Sequence, residues 1–302
     1  MNGWWRQFLA RGVFWRQALR FGVLNTPIWI EPIVIGFSSL FFLLWGPGRR
    51  SVMQNLRAIK PGSWPVINFF RVYRVFWNYA WSIADTVRFR ENGTLPDWEF
   101  AGIEHFDRLQ AYEGGGVILT AHMGSYDLGA HVFSATSHRP IVMVRAPEVD
   151  PQTREFEEAQ QERSRTDALR IDFNTKASEL ALDLLHAIQR GDLVAIQGDR
   201  VTPGIATIPA TLFGKPARIP AGPFALAMAA RVPVFPVFIM RAGRRRYRLV
   251  TCAPIHVERQ SRHRDDDLRA GAEQWSKLLE TVIAVGWYQW FAFEAFAGEE
   301  AA

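Results

Sequence analysis

Short apolar runs alternate with amphipathic stretches after residue 95, which predicts an α/β fold: a layered, mixed and largely parallel sheet flanked by helices. Two further observations complete the expectation. The first 75 residues crowd Trp and Phe among Arg, the pattern of an N-terminal membrane-associating helical region. Polar residues follow directly on two of the apolar runs, at His122 and at Asp199-Arg200, where a parallel sheet presents its ligand-binding edge. The chain accordingly divides into residues 1–75, the helical region, and 76–302, the α/β domain.

In the first region, residues 4–23 place Trp4, Trp5, Phe8, Phe14, Trp15, Leu19 and Phe21 among Arg6, Arg11, Arg16 and Arg20. That mixture suits an amphipathic helix lying in a bilayer interface. No signal-peptide cleavage pattern precedes it. Residues 32–46 are uncharged, but 15 residues fall short of the roughly 20 needed for an upright span. Glu31 ahead of the run weakens a span further, and basic residues on both sides give no clean orientation, so attachment to one face is favoured over crossing. A buried helix pair is the alternative.

The α/β region begins with a helix over residues 103–112, ending at Gly114-Gly-Gly116. Residues 117–119 form a buried strand that delivers His122 to its end, and a helix then runs through Leu128 and Val132. Residues 141–144 make a second strand, 151–165 a polar helix and 169–173 a third strand. Leu180, Leu184, Leu185 and Ile188 share one face of a helix over 177–190. Residues 193–196 are a fourth strand, closing on Gln197-Gly-Asp-Arg200. A Pro/Gly-rich loop is expected over 202–222, then an Ala-rich helix over 224–230 and strands over 232–240 and 247–252. The arginine run 241–248, broken by Gly243, reads as a hairpin rather than a nucleic-acid-binding stretch.

Composition narrows the chemistry. The net charge is +5, and only four of the 35 basic residues are Lys. Arginine in such excess favours phosphates or acidic lipids, although a GC-rich genome gives the same bias. A single Cys252 excludes an internal disulfide and a cysteine-built metal site. The chain lacks the glycine fingerprints of dinucleotide and nucleoside triphosphate enzymes, Gly-x-Ser-x-Gly and His-Glu-x-x-His. No cofactor and no metal are expected.

Of seven histidines, only His122 has an acidic residue five positions on, Asp127. If the helix starts at Gly124-Ser125, that carboxylate can fold back toward the imidazole, the arrangement that takes a proton from an alcohol, thiol or amine. A structural histidine is the alternative, since chance alone often produces this spacing.

Taken in order, these segments resemble the bacterial lipid A late acyltransferases (the lauroyl and myristoyl transferases), of the lysophospholipid acyltransferase superfamily. The resemblance runs through Arg49-Arg50…Asn55-Leu56, Thr120-Ala-His-Met-Gly-Ser-Tyr-Asp127, Ile141-Val-Met-Val-Arg145 and Gly191-Asp-Leu-Val-Ala-Ile-Gln-Gly-Asp-Arg200. It continues through Leu212-Phe-Gly-Lys-Pro-Ala-Arg218, Ala221-Gly-Pro-Phe224 and Val232-Pro-Val-Phe-Pro-Val-Phe238. Trp287-Tyr-Gln-Trp290 keeps a Gln-Trp like that of lipid A enzymes, but an acidic tail replaces the basic segment expected next. Trp4…Arg11-Gly12 is similar to a divergent branch of predicted acyltransferases, some linked to aryl-polyene or other unusual lipids.

The resemblance implies transfer of a fatty acyl group from an acyl-carrier protein or CoA thioester to a hydroxyl or amine of a membrane lipid or glycolipid, at the cytoplasmic face of a bacterial inner membrane. His122 would be the general base and Asp127 its partner. Arg145, Asp199, Arg200, Phe213, Gly214, Lys215 and Arg218 would bind substrate, with the membrane surface a further partner and no role for nucleic acid. Solvated surface charge for the basic residues, a turn role for Asp199 and core packing for Phe213 are the plainer readings. A lipid hydrolase that activates water with the same dyad, or a non-enzymatic membrane scaffold, are the competing functions.

Overall fold

The computed structural model describes residues 13–93, 95–137, 139–145, 169–173, 177–202 and 204–296. Among the described residues four helices come first: α1 (Val13–Asn25), α2 (Glu31–Leu43), α3 (Gly46–Ile59) and α4 (Pro65–Asn92). Then follow β1 (Asp97–Ala101), α5 (Ile103–Ala111), β2 (Gly116–Thr120), α6 (Tyr126–Ser137), β3 (Ile141–Arg145), β4 (Leu169–Phe173), α7 (Ala177–Gln189) and β5 (Leu193–Gln197). The chain continues through β6 (Thr207–Leu212), β7 (Lys215–Pro220), α8 (Gly222–Ala230), β8 (Val234–Gly243), β9 (Arg246–Thr251) and α9 (Arg264–Gly286), with a 3-10 turn at Trp287–Gln289. The helix expected over 151–165 and the first part of the 4–23 segment lie outside the described residues.

Seven strands form one sheet in the order β1-β9-β8-β2-β5-β3-β4. Strands β8, β2, β5, β3 and β4 run parallel, while β9 turns back on β8 and carries β1 with it. The mixed, largely parallel sheet is as expected. Its pleat sorts the core: Val117, Leu119 and Val194 face α7, α8 and α9, while Ile118, Ala195 and Met143 face α5 and α6. Both faces are covered, which is why the central strands read as unbroken apolar runs.

Helix boundaries follow local chemistry. Pro65 opens α4, where its missing N–H costs nothing, and Gly93 closes it in the left-handed conformation with its N–H on the Phe89 carbonyl at 2.8 Å. Asp265, Asp266 and Asp267 sit in the first turn of α9, against the positive end of the helix dipole.

Two expectations need correction. The loop expected over 202–222 is largely the β6–β7 hairpin, turned by Phe213 and Gly214, both at positive φ (51° and 68°). Two consecutive left-handed residues make a tight turn whose twist matches the strands, but Pro209, Pro216 and Pro220 masked the strand pattern. The division at residues 75 and 76 falls inside α4, which runs unbroken for 28 residues. Leu56, Val72 and Phe76 from the first four helices share a core cluster with Phe291 from the far end of the chain. Strand β1 and the long helix α9 were not anticipated.

No single helix among the described residues is long and apolar enough to cross a membrane; α2 and α3 together have the length and composition, but they meet at 92°. Most of the large apolar side chains that remain exposed lie between residues 19 and 70, among them Trp29, Phe37, Leu44, Trp64 and Phe70.

Trp275 on α9 fixes the layer above β5. It is fully buried, stacks on Phe238 with centroids 5.5 Å apart, and donates Nε1–H to the Gly198 carbonyl at 2.9 Å. Trp275→Ala should therefore cost about 3–5 kcal/mol, combining a large cavity with an unpaired carbonyl. Denaturant titration of the variant measures it, and a loss below about 1 kcal/mol would contradict this packing role.

Candidate active site

Strands β2 and β5 pair in parallel with Thr120 opposite Gln197, so the chain leaves the sheet at the same height from two neighbouring strands. The Gly198 N–H still bonds the Thr120 carbonyl at 2.8 Å. One residue further on, the two loops part and place His122 against Asp199.

The Asp199 carboxylate is 1% exposed and gathers donors from three directions. It accepts the His122 backbone N–H at 3.1 and 3.0 Å, the His122 Nδ1 at 2.8 Å and the Trp290 Nε1–H at 2.8 Å. Burial is the largest single influence on this acid and pushes its pKa up. The imidazole, the Trp290 bond and the nearby Arg200 together outweigh burial and hold it below the usual carboxylate value. An ionised Asp199 only accepts, so Nδ1 of His122 is the donor in this pair and Nε2 is the ring nitrogen left to act as a base. The imidazole keeps 15% of its surface exposed and meets the Tyr126 ring edge-on at 5.3 Å between centroids.

This corrects the expected pairing, because the carboxylate on the imidazole is Asp199 and not Asp127. Asp127 lies in the first turn of α6, where it takes a hydrogen bond from Arg145, and Arg90 lies 3.6 Å away. Gly124 governs the turn between them. It holds φ at +54°, and a Cβ there would lie 1.9 Å from the Ile239 carbonyl oxygen, so only glycine lets the loop fold against β8. Burial, with the adjacent Asp127 and Tyr79, raises the Tyr126 pKa and keeps its hydroxyl protonated.

The remaining expected site residues separate into two groups. Arg200 stays with the pair, its Nη2 bonded to the Phe291 carbonyl at 3.1 Å. Arg145 borders Tyr126 and Asp127. Phe213, Gly214, Lys215 and Arg218 belong to the β6–β7 hairpin. Phe213 donates its N–H to Glu280 of α9, and Arg218 Nε donates to Thr207 Oγ1 at 2.7 Å. Ring contacts run from the hairpin toward the site, Phe213 to Phe296 at 6.3 Å and Phe296 to Trp290 at 5.7 Å, and Leu212 and Ala217 share a core cluster with Met123 and Trp290. No described contact joins Lys215 or Arg218 to His122.

Sequence reasoning missed the contribution of the chain's C-terminal segment. The Phe291 N–H bonds the His122 carbonyl at 2.8 Å, and the Gln289 carbonyl accepts the Gly124 N–H at 3.0 Å. The Gln289 side chain clasps the Arg241 backbone in both directions, at 2.6 and 2.9 Å. The Gln289-Trp290 pair was the available signal, visible as a sequence feature without a role.

A narrow apolar cavity of about 40 Å³ opens beside Thr120 and Tyr126. Ile118, Phe133, Met143, Ala195 and Ile239 line it between α6 and the sheet. Among the described residues, no group of three or more His, Cys, Asp or Glu side chains converges to hold a metal ion.

The site can thus take a proton at Nε2, stabilise the resulting imidazolium through a buried carboxylate and offer a neighbouring cation to developing negative charge. Comparison with individually curated proteins gave no match. The family model for the bacterial lipid A biosynthesis acyltransferases matches residues 71–295, a span that contains His122, Asp199 and Trp290. On that match the chain is an acyltransferase and belongs to the bacterial lipid A biosynthesis acyltransferase family.

Proposed function

We propose that the protein moves a fatty acyl group from an acyl-carrier protein or CoA thioester to a hydroxyl or amine of a membrane lipid or glycolipid, with His122 as general base. What carries this reading is the contact of His122 Nδ1 with the buried Asp199 carboxylate, which leaves Nε2 as the ring nitrogen available to a substrate. The acceptor oxygen or nitrogen attacks the thioester carbonyl carbon and gives its proton to Nε2. The tetrahedral adduct then collapses, the carbon–sulfur bond breaks, and the departing thiolate takes the proton back from the imidazolium. Asp199 holds the tautomer and offsets the imidazolium charge. Arg200 supplies a cation for the oxyanion.

In this reading Asp127 positions rather than relays. Its charge is matched by Arg145 and Arg90, so it holds the start of α6, and Tyr126 with it, against the imidazole. The apolar cavity beside Tyr126 receives part of the acyl chain. The exposed Lys215, with Arg218, offers charge to the phosphates of the donor. The aromatic face of the first helices rests on an anionic bilayer at the cytoplasmic side, so the acceptor enters from the membrane while the donor arrives in solution.

Acyl transfer from a radiolabelled acyl thioester to a lipid extract tests the assignment. His122→Ala should abolish transfer, and Asp199→Asn should lower kcat on the order of 10³-fold or more through the wrong tautomer. Asp127→Asn should cost no more than about tenfold, below the range of a lost acid–base partner. The reverse ranking of the two carboxylates would return Asp127 to the dyad. Release of free fatty acid with no acylated lipid would make the protein a hydrolase.

The cavity gives a second measurement. Phe133→Ala should shift preference toward longer acyl chains and Ala195→Leu toward shorter ones, each by roughly tenfold in relative kcat/KM, the scale of one or two methylenes in an apolar pocket. An unchanged chain-length profile in both variants would place the acyl chain elsewhere.

A further inference from the structure

A second opening lies between α4 and the end of β8, and it is basic rather than apolar. It encloses about 500 Å³, and its walls include Tyr73, Arg74, Trp77, Asn78, Arg241 and Tyr288.

Both arginines here lack a carboxylate partner among the described ion pairs. The Arg74 guanidinium lies over the Tyr288 ring at 4.0 Å and near Trp287 at 5.4 Å. Arg241 lies over Trp81 at 5.0 Å, reaches Asn78 Oδ1 only at 3.4 Å, and has a buried Nε with no hydrogen-bond partner. Asp85 is the acid near it, but that carboxylate already takes the Tyr247 hydroxyl at 2.7 Å and Arg88 at 3.4 Å. Neighbouring arginines are treated differently, since Arg88, Arg244 and Arg245 all converge on Glu31. A partly buried guanidinium with an unused donor is costly unless an anion completes it. Two stacked guanidiniums facing one open cleft match the tetrahedral oxygens of a phosphate.

The surroundings decide what carries that phosphate. Tyr73 and Trp77 reach across to α2, the Tyr73 hydroxyl to the Gly36 carbonyl at 3.4 Å and the Trp77 ring against Gly36. The outer face of α2 at that crossing is apolar and exposed at Ile33, Phe37 and Leu40. On the other side, Tyr288 leads directly into Gln289 and Trp290, which hold Gly124 and Asp199. The cleft thus lies between the apolar face of α2 and the Tyr288–Trp290 segment that holds Asp199.

We propose that Arg74 and Arg241 bind a phosphate group on the lipid acceptor and so place its acyl-accepting hydroxyl or amine at His122. The inference rests on the acyl-transfer reading for its second half, while the phosphate site stands on its own geometry.

The test uses the full chain in flotation with phosphatidylcholine vesicles, alone or carrying either phosphatidic acid or an equal surface charge of fatty acid. Arg74→Gln and Arg241→Gln should each weaken partition onto phosphatidic acid vesicles about tenfold, with binding to the other two vesicles unchanged. Arg248→Gln, on the exposed pair with Glu99, should behave as wild type. Arg74 is exposed on its helix, so its variant tests the site even if Arg241→Gln fails to fold. Glycerol 3-phosphate separates the sources. Displacement only at concentrations far above the vesicle phosphate assigns the site to a bilayer lipid, whereas equal affinity per phosphate assigns it to a soluble ester and overturns the lipid proposal. Wild-type partition by both arginine variants overturns the site itself. His122→Ala should bind these vesicles normally. If the arginine effect persists but the wild type transfers no acyl group, the acyl-transfer reading fails and the cleft stands. If transfer proceeds in Arg74→Gln at the wild-type KM for the acceptor, the cleft fails and the reading stands.

Discussion

The rest of the site depends on burying one ionised carboxylate. Asp199 sits where two central parallel strands end, and a bare carboxylate there would be far too costly without donors. The fold provides them from separate parts of the chain: the His122 backbone and ring from the β2 loop and the Trp290 indole from the C-terminal segment. Each donor is brought into place by a structure that has other reasons to exist. The β2–β5 register sets the first two, and the Met123–Trp290 bridge sets the third. Removing any one leaves the others around an under-satisfied charge, so tautomer control and loop geometry are one physical problem.

The C-terminal segment transmits that constraint outward. Beyond Trp290, Phe291 bonds both His122 and Arg200, and Asn55 of α3 then fixes the strip by its contacts with Ala292, Glu294 and Phe296. Phe293 stacks on Phe76 at 5.6 Å. The helices before the sheet are thus joined to the imidazole through a strip of chain that belongs to neither. This explains why a division between a helical region and a sheet region has no physical seam at α4.

What the sequence disclosed follows from the range of the interactions involved. His122 and Asp199 were both placed at strand ends, because apolar runs and turn residues are local signals. Their mutual contact was not, since it depends on β2 and β5 being neighbours in register, 77 residues apart. Spacing within one turn pointed to Asp127 in its place, and nothing local reveals that Arg145 and Arg90 claim that carboxylate. The β6–β7 hairpin hid behind prolines that an antiparallel two-stranded ribbon tolerates at its edges. Strand β1 hid because its five residues carry a weak alternation and it pairs with β9 at the margin of the sheet. Trp290 was legible as a motif but not as a donor.

Glu31 shows how a single buried charge selects between two placements of the same apolar helix. By composition, α2 could be inserted in a bilayer or laid against the protein. Its first residue is 4% exposed, bonded to Arg88 of α4 and to Arg244 of the β8–β9 hairpin at 2.5 Å, with Arg245 at 3.6 Å. Burial alone would raise the acid's pKa, yet the arginines prevail and hold it below the usual value, so it remains charged. Withdrawing α2 into an apolar phase would strand that carboxylate and leave Arg88, Arg244 and Arg245 without their shared partner, a loss far larger than one helix face regains by transfer. The helix is accordingly pinned at its start, with Ile35 and Ser39 turned inward and Phe37 and Leu40 turned out. An apolar face held at a fixed distance from the sheet edge is a presented surface, and its geometry relative to Arg74, Arg241 and His122 is set by the same ion cluster.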